Sequence, residues 1–263
     1  MSTVNSAANR ALVNLQGAGV LITRPLMQSA GMAALVNAHQ GVAYVFPSLE
    51  ITLRPFDELQ SSLARVRAGD VLIFVSINAV TGVFNEISDT LRYQLASAQI
   101  GAIGERTQAA LEAENLFVAI SPEHGHQDSE GLLHHPLLQD LTGRHVYIVR
   151  GQSGRETLRE TLLERGAQLD YVQAYTCSIP HEYDCTSVID AFAAGQIQYV
   201  MLTSFAAFEN LYQMFGSAAD SIFESAQLVV PGARVAHKIR DAYPFPVRTA
   251  KNASDKEMLA AIG

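Results

Sequence analysis

The feature that most narrows the possible folds is that the chain repeats its own pattern. Residues 19–25 (GVLITRP) read as a strand running into a polar turn, and residues 145–151 (HVYIVRG) repeat it with Arg150 at the place of Arg24. Each is followed by a helical stretch and then a short extended segment, at 42–46 and 169–175. An apolar run at 71–75 leads into Ser76, and another at 199–202 leads into Thr203 and Ser204. A third pair, 98–104 (AQIGAIG) and 226–232 (AQLVVPG), ends on Gly104 and Gly232. The interval from Ser76 to Gly104 equals that from Ser204 to Gly232. Order and spacing recur together, which marks a duplicated unit rather than chance likeness between apolar runs.

Apolar strands alternating with amphipathic helices predict mostly parallel sheets covered on both faces. The economical fold is α/β, with two similar doubly wound domains. Ser76 and Ser204 stand where helix N-caps belong. Further helices are expected at 107–114, 235–241 and 255–262, and another at 130–138 that Pro136 ends or kinks. Residues 46–51 read as a connector with a return strand near 171–175. Pairing there allows one domain to combine the start of the chain with its C-terminal third.

Composition limits the function classes. Hydrophobic residues make up 48% of the 263, enough for substantial cores. With 18 basic and 26 acidic residues the formal net charge is -8, which argues against a general nucleic-acid-binding surface. No apolar stretch is long enough to span a bilayer. The polar, alanine-rich residues 1–14 read as a flexible lead-in without a signal-peptide core, so a cytoplasmic setting is expected. Cys177 and Cys185 fall in no metal or redox spacing. His124, His126, His134 and His135 cluster, but at irregular spacing across a polar loop, and read as surface residues rather than a metal site. A nucleotide-binding enzyme fits the α/β pattern, yet neither a full P-loop nor a complete dinucleotide glycine motif is present, and residues 151–154 (GQSG) are too incomplete to serve.

Read in order, the pieces carry a resemblance. They are LITRP at 21–25, PSLEI at 47–51, FVSINAV at 74–80 and AIGERT at 102–107. Arg150-Gly151 with Arg155 and Leu158, then Tyr175, then Leu202-Thr203-Ser204 complete the series. The succession resembles the uroporphyrinogen-III synthase family across nearly the whole chain. The resemblance implies two α/β domains joined by a two-stranded β connector with an active cleft between them. One domain would hold residues 15–44 and 177–263, the other 52–166, with 45–51 and 167–176 connecting them. It also implies conversion of hydroxymethylbilane to uroporphyrinogen III, a lyase step of haem and related tetrapyrrole biosynthesis. The terminal pyrrole would invert through a spiro intermediate, and no metal or organic cofactor would be needed.

On that reading a polycarboxylate substrate is gathered by helix N-termini and backbone amides rather than by net charge. The substrate-binding candidates are Arg24, Ser76, Asn78, Gly104, Thr107, Arg150, Arg155, Thr203, Ser204, Gly232 and Ala233. Tyr175, at the place of the family's tyrosine on the return strand, is the candidate proton donor to the departing hydroxyl. The second glycine turn departs from the family pattern, with Val235 where the first turn has Thr107 and Pro231 before the glycine. No hydroxyl role can be assigned there, although the amides of Gly232 and Ala233 remain. Capping alone explains Ser76 and Ser204 equally well, and surface ion pairing explains the arginines. A monomer with no nucleic-acid or membrane partner suffices for this function, with transient contact to neighbouring pathway enzymes possible. The reading from another class is a non-enzymatic two-lobed small-molecule-binding protein.

Overall fold

A computed structural model of the chain describes residues 14–122, 128–152 and 156–263. Arg155, His124, His126 and nearly all of the N-terminal lead-in lie outside the described residues. Two compact units emerge. One takes the chain up to Glu50 together with Ser178–Gly263, the other is Ile51–Cys177.

The first unit is built on strands β1 (Gly19–Ile22) and β2 (Val42–Val45). The second begins with β3 (Glu50–Leu53), which straddles the boundary, and continues through β4 (Val71–Phe74), β5 (Gln99–Ala102), β6 (Val118–Ile120), β7 (His145–Gly151) and β8 (Gln168–Ser178). The chain then returns to the first unit for β9 (Tyr199–Met201), β10 (Gln227–Val230) and β11 (Val247–Thr249).

In the first unit the sheet order is β11-β10-β9-β1-β2, and every recorded pairing is parallel. In the second it is β3-β8-β7-β4-β5-β6, with parallel pairing from β8 through β6. Both have the doubly wound order 2-1-3-4-5, once β7 is taken as the first strand of the second unit and β3 as a sixth strand added at its edge. The strands β1, β4 and β7 are buried along both faces, as parallel strands between helix layers must be. Alternate residues supply two cores. Leu72, Phe74, Tyr147 and Val149 pack on one face of the second sheet, and Val71, Ile73, Val146 and Ile148 on the other. The first sheet divides likewise, with Leu21, Val200 and Leu228 on one face and Val20, Ile22, Met201 and Val229 on the other.

The two segments expected to form a connector contribute β3 and β8, which are hydrogen-bonded neighbours at the edge of the second sheet and both run across the division between the units. Phe46 and Ser48 donate their amides to Ile22 and Thr23 at 3.0 Å, which fastens residues 46–48 to the first unit. The return strand β8 pairs with β7 from Gln168 to Tyr175. On its other side β8 neighbours β3, so it lies between β3 and β7 in the second sheet. The helix expected at 130–138 is two pieces, Ser129–Leu133 and a 3-10 turn Pro136–Leu138, because a proline cannot continue the hydrogen-bond ladder. The remaining expected helices are Glu105–Ala113, Ala233–Ala242 and Asp255–Ala260. Both cysteines are free thiols. No helix among the described residues is long and apolar enough to cross a membrane.

Candidate functional site

In a doubly wound sheet, ligands bind beyond the strand C-termini where the strand order reverses. That point lies between β7 and β4 in the second unit, and between β1 and β9 in the first.

At the β7/β4 switch, β4 ends into Ser76, the N-cap of the helix Ile77–Phe84, whose Oγ accepts the Ala79 amide at 3.2 Å. The same hydroxyl donates to the phenol oxygen of Tyr175 at 3.0 Å. Tyr175 reaches this place through an irregularity in β8. Arg150 of β7 stands opposite Gln173, yet the next residue, Gly151, stands opposite Tyr175. One extra residue has been taken up in β8. Leu169 and Tyr171 pack on the Val146/Ile148 face, and strict alternation would send Tyr175 there as well. The bulge turns it to the opposite face, beside Val149 and Ala174. Gln152 fixes the strand by donating its amide to the Tyr175 carbonyl at 3.0 Å. Burial raises the phenol pKa above the ordinary tyrosine value, and the Ser76 hydroxyl pulls partly the other way. The group is therefore neutral near physiological pH, a donor and not a base.

The first unit has the same capping without the phenol. Ser204 caps the helix Phe205–Phe215 by accepting the Ala207 amide at 3.1 Å. Thr203 precedes it, half-buried. Across the switch, Thr23 of the loop after β1 donates to the Met201 carbonyl at 2.7 Å and ties that loop to β9.

The two glycine turns open helices of similar length but differ in backbone. Gly104 is extended, with φ -170°, whereas Gly232 has φ 142°. Thr107, in the first turn of its helix, is buried, and Val235 is buried at the corresponding place. Asn78 lies in the first turn after Ser76, and Ala233 is exposed at the start of its helix.

The repeated arginines are both buried and both paired within their own unit. Arg24 forms an ion pair with Asp255 and donates to the Ala253 carbonyl at 2.9 Å. Arg150 pairs with Glu156 at 3.1 Å and stacks over the Tyr171 ring at 4.6 Å, while Tyr171 donates to Glu156 at 2.7 Å. Arg150 thus projects from the sheet face opposite Tyr175. An incoming carboxylate at either arginine must share it with the resident acid. The sequence allowed ion pairing of these arginines at the surface, but both are buried, and their surroundings were not legible, since Asp255 is far away along the chain and the stacking ring lies on a different strand.

Of the histidines expected at the surface, His134 bonds the Glu130 carbonyl at 2.8 Å and His135 accepts the Leu137 amide at 3.3 Å. Among the described residues no cluster of three or more His, Cys, Asp or Glu side chains is arranged to hold a metal.

A family model described as uroporphyrinogen-III synthase HemD matches residues 30–260. The uroporphyrinogen-III synthase of Salmonella typhimurium is 27% identical over 245 residues, covering 92% of this chain and 99% of that protein. The Escherichia coli K12 enzyme of the same name is 26% identical over 246 residues, with the same coverage of 92% and 99%. Among solved structures, uroporphyrinogen-III synthetase from Helicobacter pylori superposes with a TM-score of 0.62 at 18% identity, covering 94% of this chain and 98% of that one. At that identity the superposition speaks for the fold, and the sequence matches speak for the family.

Proposed function

The chain belongs to the uroporphyrinogen-III synthase family, lyases of haem biosynthesis, and from that premise we propose that it cyclises hydroxymethylbilane to uroporphyrinogen III. At residue level the reading is carried by one observation: a neutral phenol, Tyr175, lies 3.0 Å from the helix-capping Ser76 at the sheet's switch point.

The substrate's terminal hydroxyl leaves as water once Tyr175 gives it a proton, and the pyrrole nitrogen pair forms the azafulvene double bond. The substituted carbon of the far pyrrole attacks, giving a spiro intermediate. Cleavage and reattachment then turn that ring over before the macrocycle closes, and the proton released at closure returns to the phenolate. Overall, one water is lost and no electron is gained or lost. The protein's task is to bring the reacting ends together and to favour inversion over direct closure.

Carboxylate side chains of the bilane are held in this reading by Ser76, Asn78, Gly104 and Thr107 in the second unit. Arg24, Thr203, Ser204, Gly232 and Ala233 serve in the first, with Arg150 and Arg155 as further cations. Helix N-termini supply most of the attraction, so the net charge of -8 is no obstacle. The working species is a cytoplasmic monomer.

Incubation of the purified protein with freshly generated hydroxymethylbilane, followed by separation of the isomers, tests the proposal. Uroporphyrinogen III should predominate without added metal or nucleotide. Formation of isomer I alone, the product of unassisted closure, refutes it.

A further inference from the structure

We infer that Gly151 and Ser76 are positioning residues that together aim the Tyr175 proton, Gly151 by leaving the slot in which the ring lies and Ser76 by holding the phenol oxygen. The inference rests on the proposed bilane cyclisation for its consequence, but not for its geometry.

The first observation is steric. A Cβ on Gly151 would sit 2.7 Å from Cε2 and 2.9 Å from Cζ of Tyr175, closer than any stable carbon contact. Gly151 is not at positive φ, so its backbone conformation does not demand glycine. The demand comes from the ring. The repeat shows the same thing by contrast, since the corresponding residue in the first copy is Pro25. Only the copy with a tyrosine against this strand end carries glycine there.

The second observation concerns direction. Ser76 Oγ accepts a hydrogen bond from the Ala79 amide and donates one to the Tyr175 oxygen. With that oxygen accepting from Ser76, the phenol keeps its own proton to donate to a further acceptor. Ser204 caps its helix in the other unit in the same way, and among the described residues no tyrosine hydrogen-bonds it.

The third is the bulge in β8, which turns Tyr175 out of the alternation that its strand would otherwise impose. Bulges recur where a side chain must be re-aimed next to a functional site. Glycine, bulge and serine thus act on one oxygen atom. The step they serve is the transfer already written, in which the phenol O–H bond breaks and the hydroxyl departs as water.

The experiment compares Gly151→Ala, Ser76→Ala and Ser76→Thr, each alone and combined with Tyr175→Phe. Bilane turnover is measured alongside NMR titration of protein carrying [13Cζ]tyrosine, with the Tyr175 signal assigned by its loss in Tyr175→Phe. Loss of one hydrogen bond at this oxygen should lower kcat about tenfold in Ser76→Ala. It should also raise the pH at which the Tyr175 signal titrates, because a donor to the phenolate has gone. Ser76→Thr restores both. Once Tyr175 is phenylalanine, Gly151→Ala should lower kcat no further, and what Ser76→Ala still costs, through the lost substrate contact, should fall on KM. Gly151→Ala should displace the Tyr175 signal and match Tyr175→Phe in turnover. Losses of kcat that add to that of Tyr175→Phe, an unmoved signal in Gly151→Ala, or an effect of Ser76→Ala alone that is confined to KM each overturn the inference. If Gly151→Ala does not fold, the two serine variants decide. If the wild-type protein makes only isomer I, the functional reading fails, while the NMR signals still judge the positioning in the resting protein.

Discussion

At the scale of single residues, the sequence revealed what sits where but not what each side chain touches. Ser76 and Ser204 were legible as caps because a polar residue follows an apolar run. Tyr175 was legible only by its place in an ordered series. Gly104 and Gly232 looked alike, yet only Gly232 adopts the positive φ that favours glycine. The clamp around Arg150 makes the residue-scale chemistry testable. Tyr171 donates to Glu156 and holds its carboxyl below the ordinary glutamate range; burial opposes this, and Arg150 adds to the lowering. Because the folded-state value lies below the unfolded one, the stabilisation is complete above about pH 4.3 and is lost as the pH falls through the folded value. In Glu156→Gln, the melting temperature should therefore be less sensitive to acid just below about pH 4.3. Thermal unfolding across that range checks this, and an acid limb of unchanged steepness contradicts it.

Among the elements, those with buried strands or clear caps were readable, and those that only cover them were not. The helices Phe56–Leu63 and Asp89–Ala96 bury only a leucine pair each, Leu59 with Leu63 and Leu91 with Leu95. So short an apolar signal does not stand out from a polar loop. The bulge in β8 was also hidden, since the sequence from 169 to 175 contains no glycine or proline to announce it. Its consequence reaches a neighbouring helix. A Cβ on Gly82 would lie 2.7 Å from the Ala174 carbonyl oxygen and 3.0 Å from the Ala174 side chain. The helix capped by Ser76 therefore approaches the bulged strand as closely as backbone allows. Gly82→Ala forces the helix away from β8 and should cost about 1–3 kcal/mol, the usual penalty for overpacking. Denaturant unfolding measures it. Stability equal to wild type would mean that this approach is loose.

At the scale of the whole molecule, the repeat and the architecture divide the chain differently. By sequence, β1, β2, β4, β5 and β6 form one copy, and β7 through β11 the other. In space, β1 and β2 join β9, β10 and β11, while β7 and β8 join β4, β5 and β6. Each sheet thus takes its first two strands from one copy and its last three from the other. The sequence allowed such an exchange but could not choose it, because either pairing buries the same apolar strands. The choice has a direct consequence for folding. Ile51–Cys177 is continuous and contains both faces of its sheet with the helices that cover them, so it should fold alone. Ser178–Gly263 holds only β9, β10 and β11 and lacks β1, the central strand that covers the edge of β9. Alone it exposes that edge and the apolar residues that pack against Val20, Leu21 and Ile22. Expressed separately, residues 51–177 should melt cooperatively and give dispersed amide NMR signals, whereas residues 178–263 should not. Joining residues 14–50 to 178–263 through a short Gly/Ser linker should restore a cooperative transition, because it returns β1 to its place between β9 and β2. Cooperative unfolding of residues 178–263 by themselves would show that the exchanged strands are dispensable, and that folding does not require the first part of the chain to wait for the last.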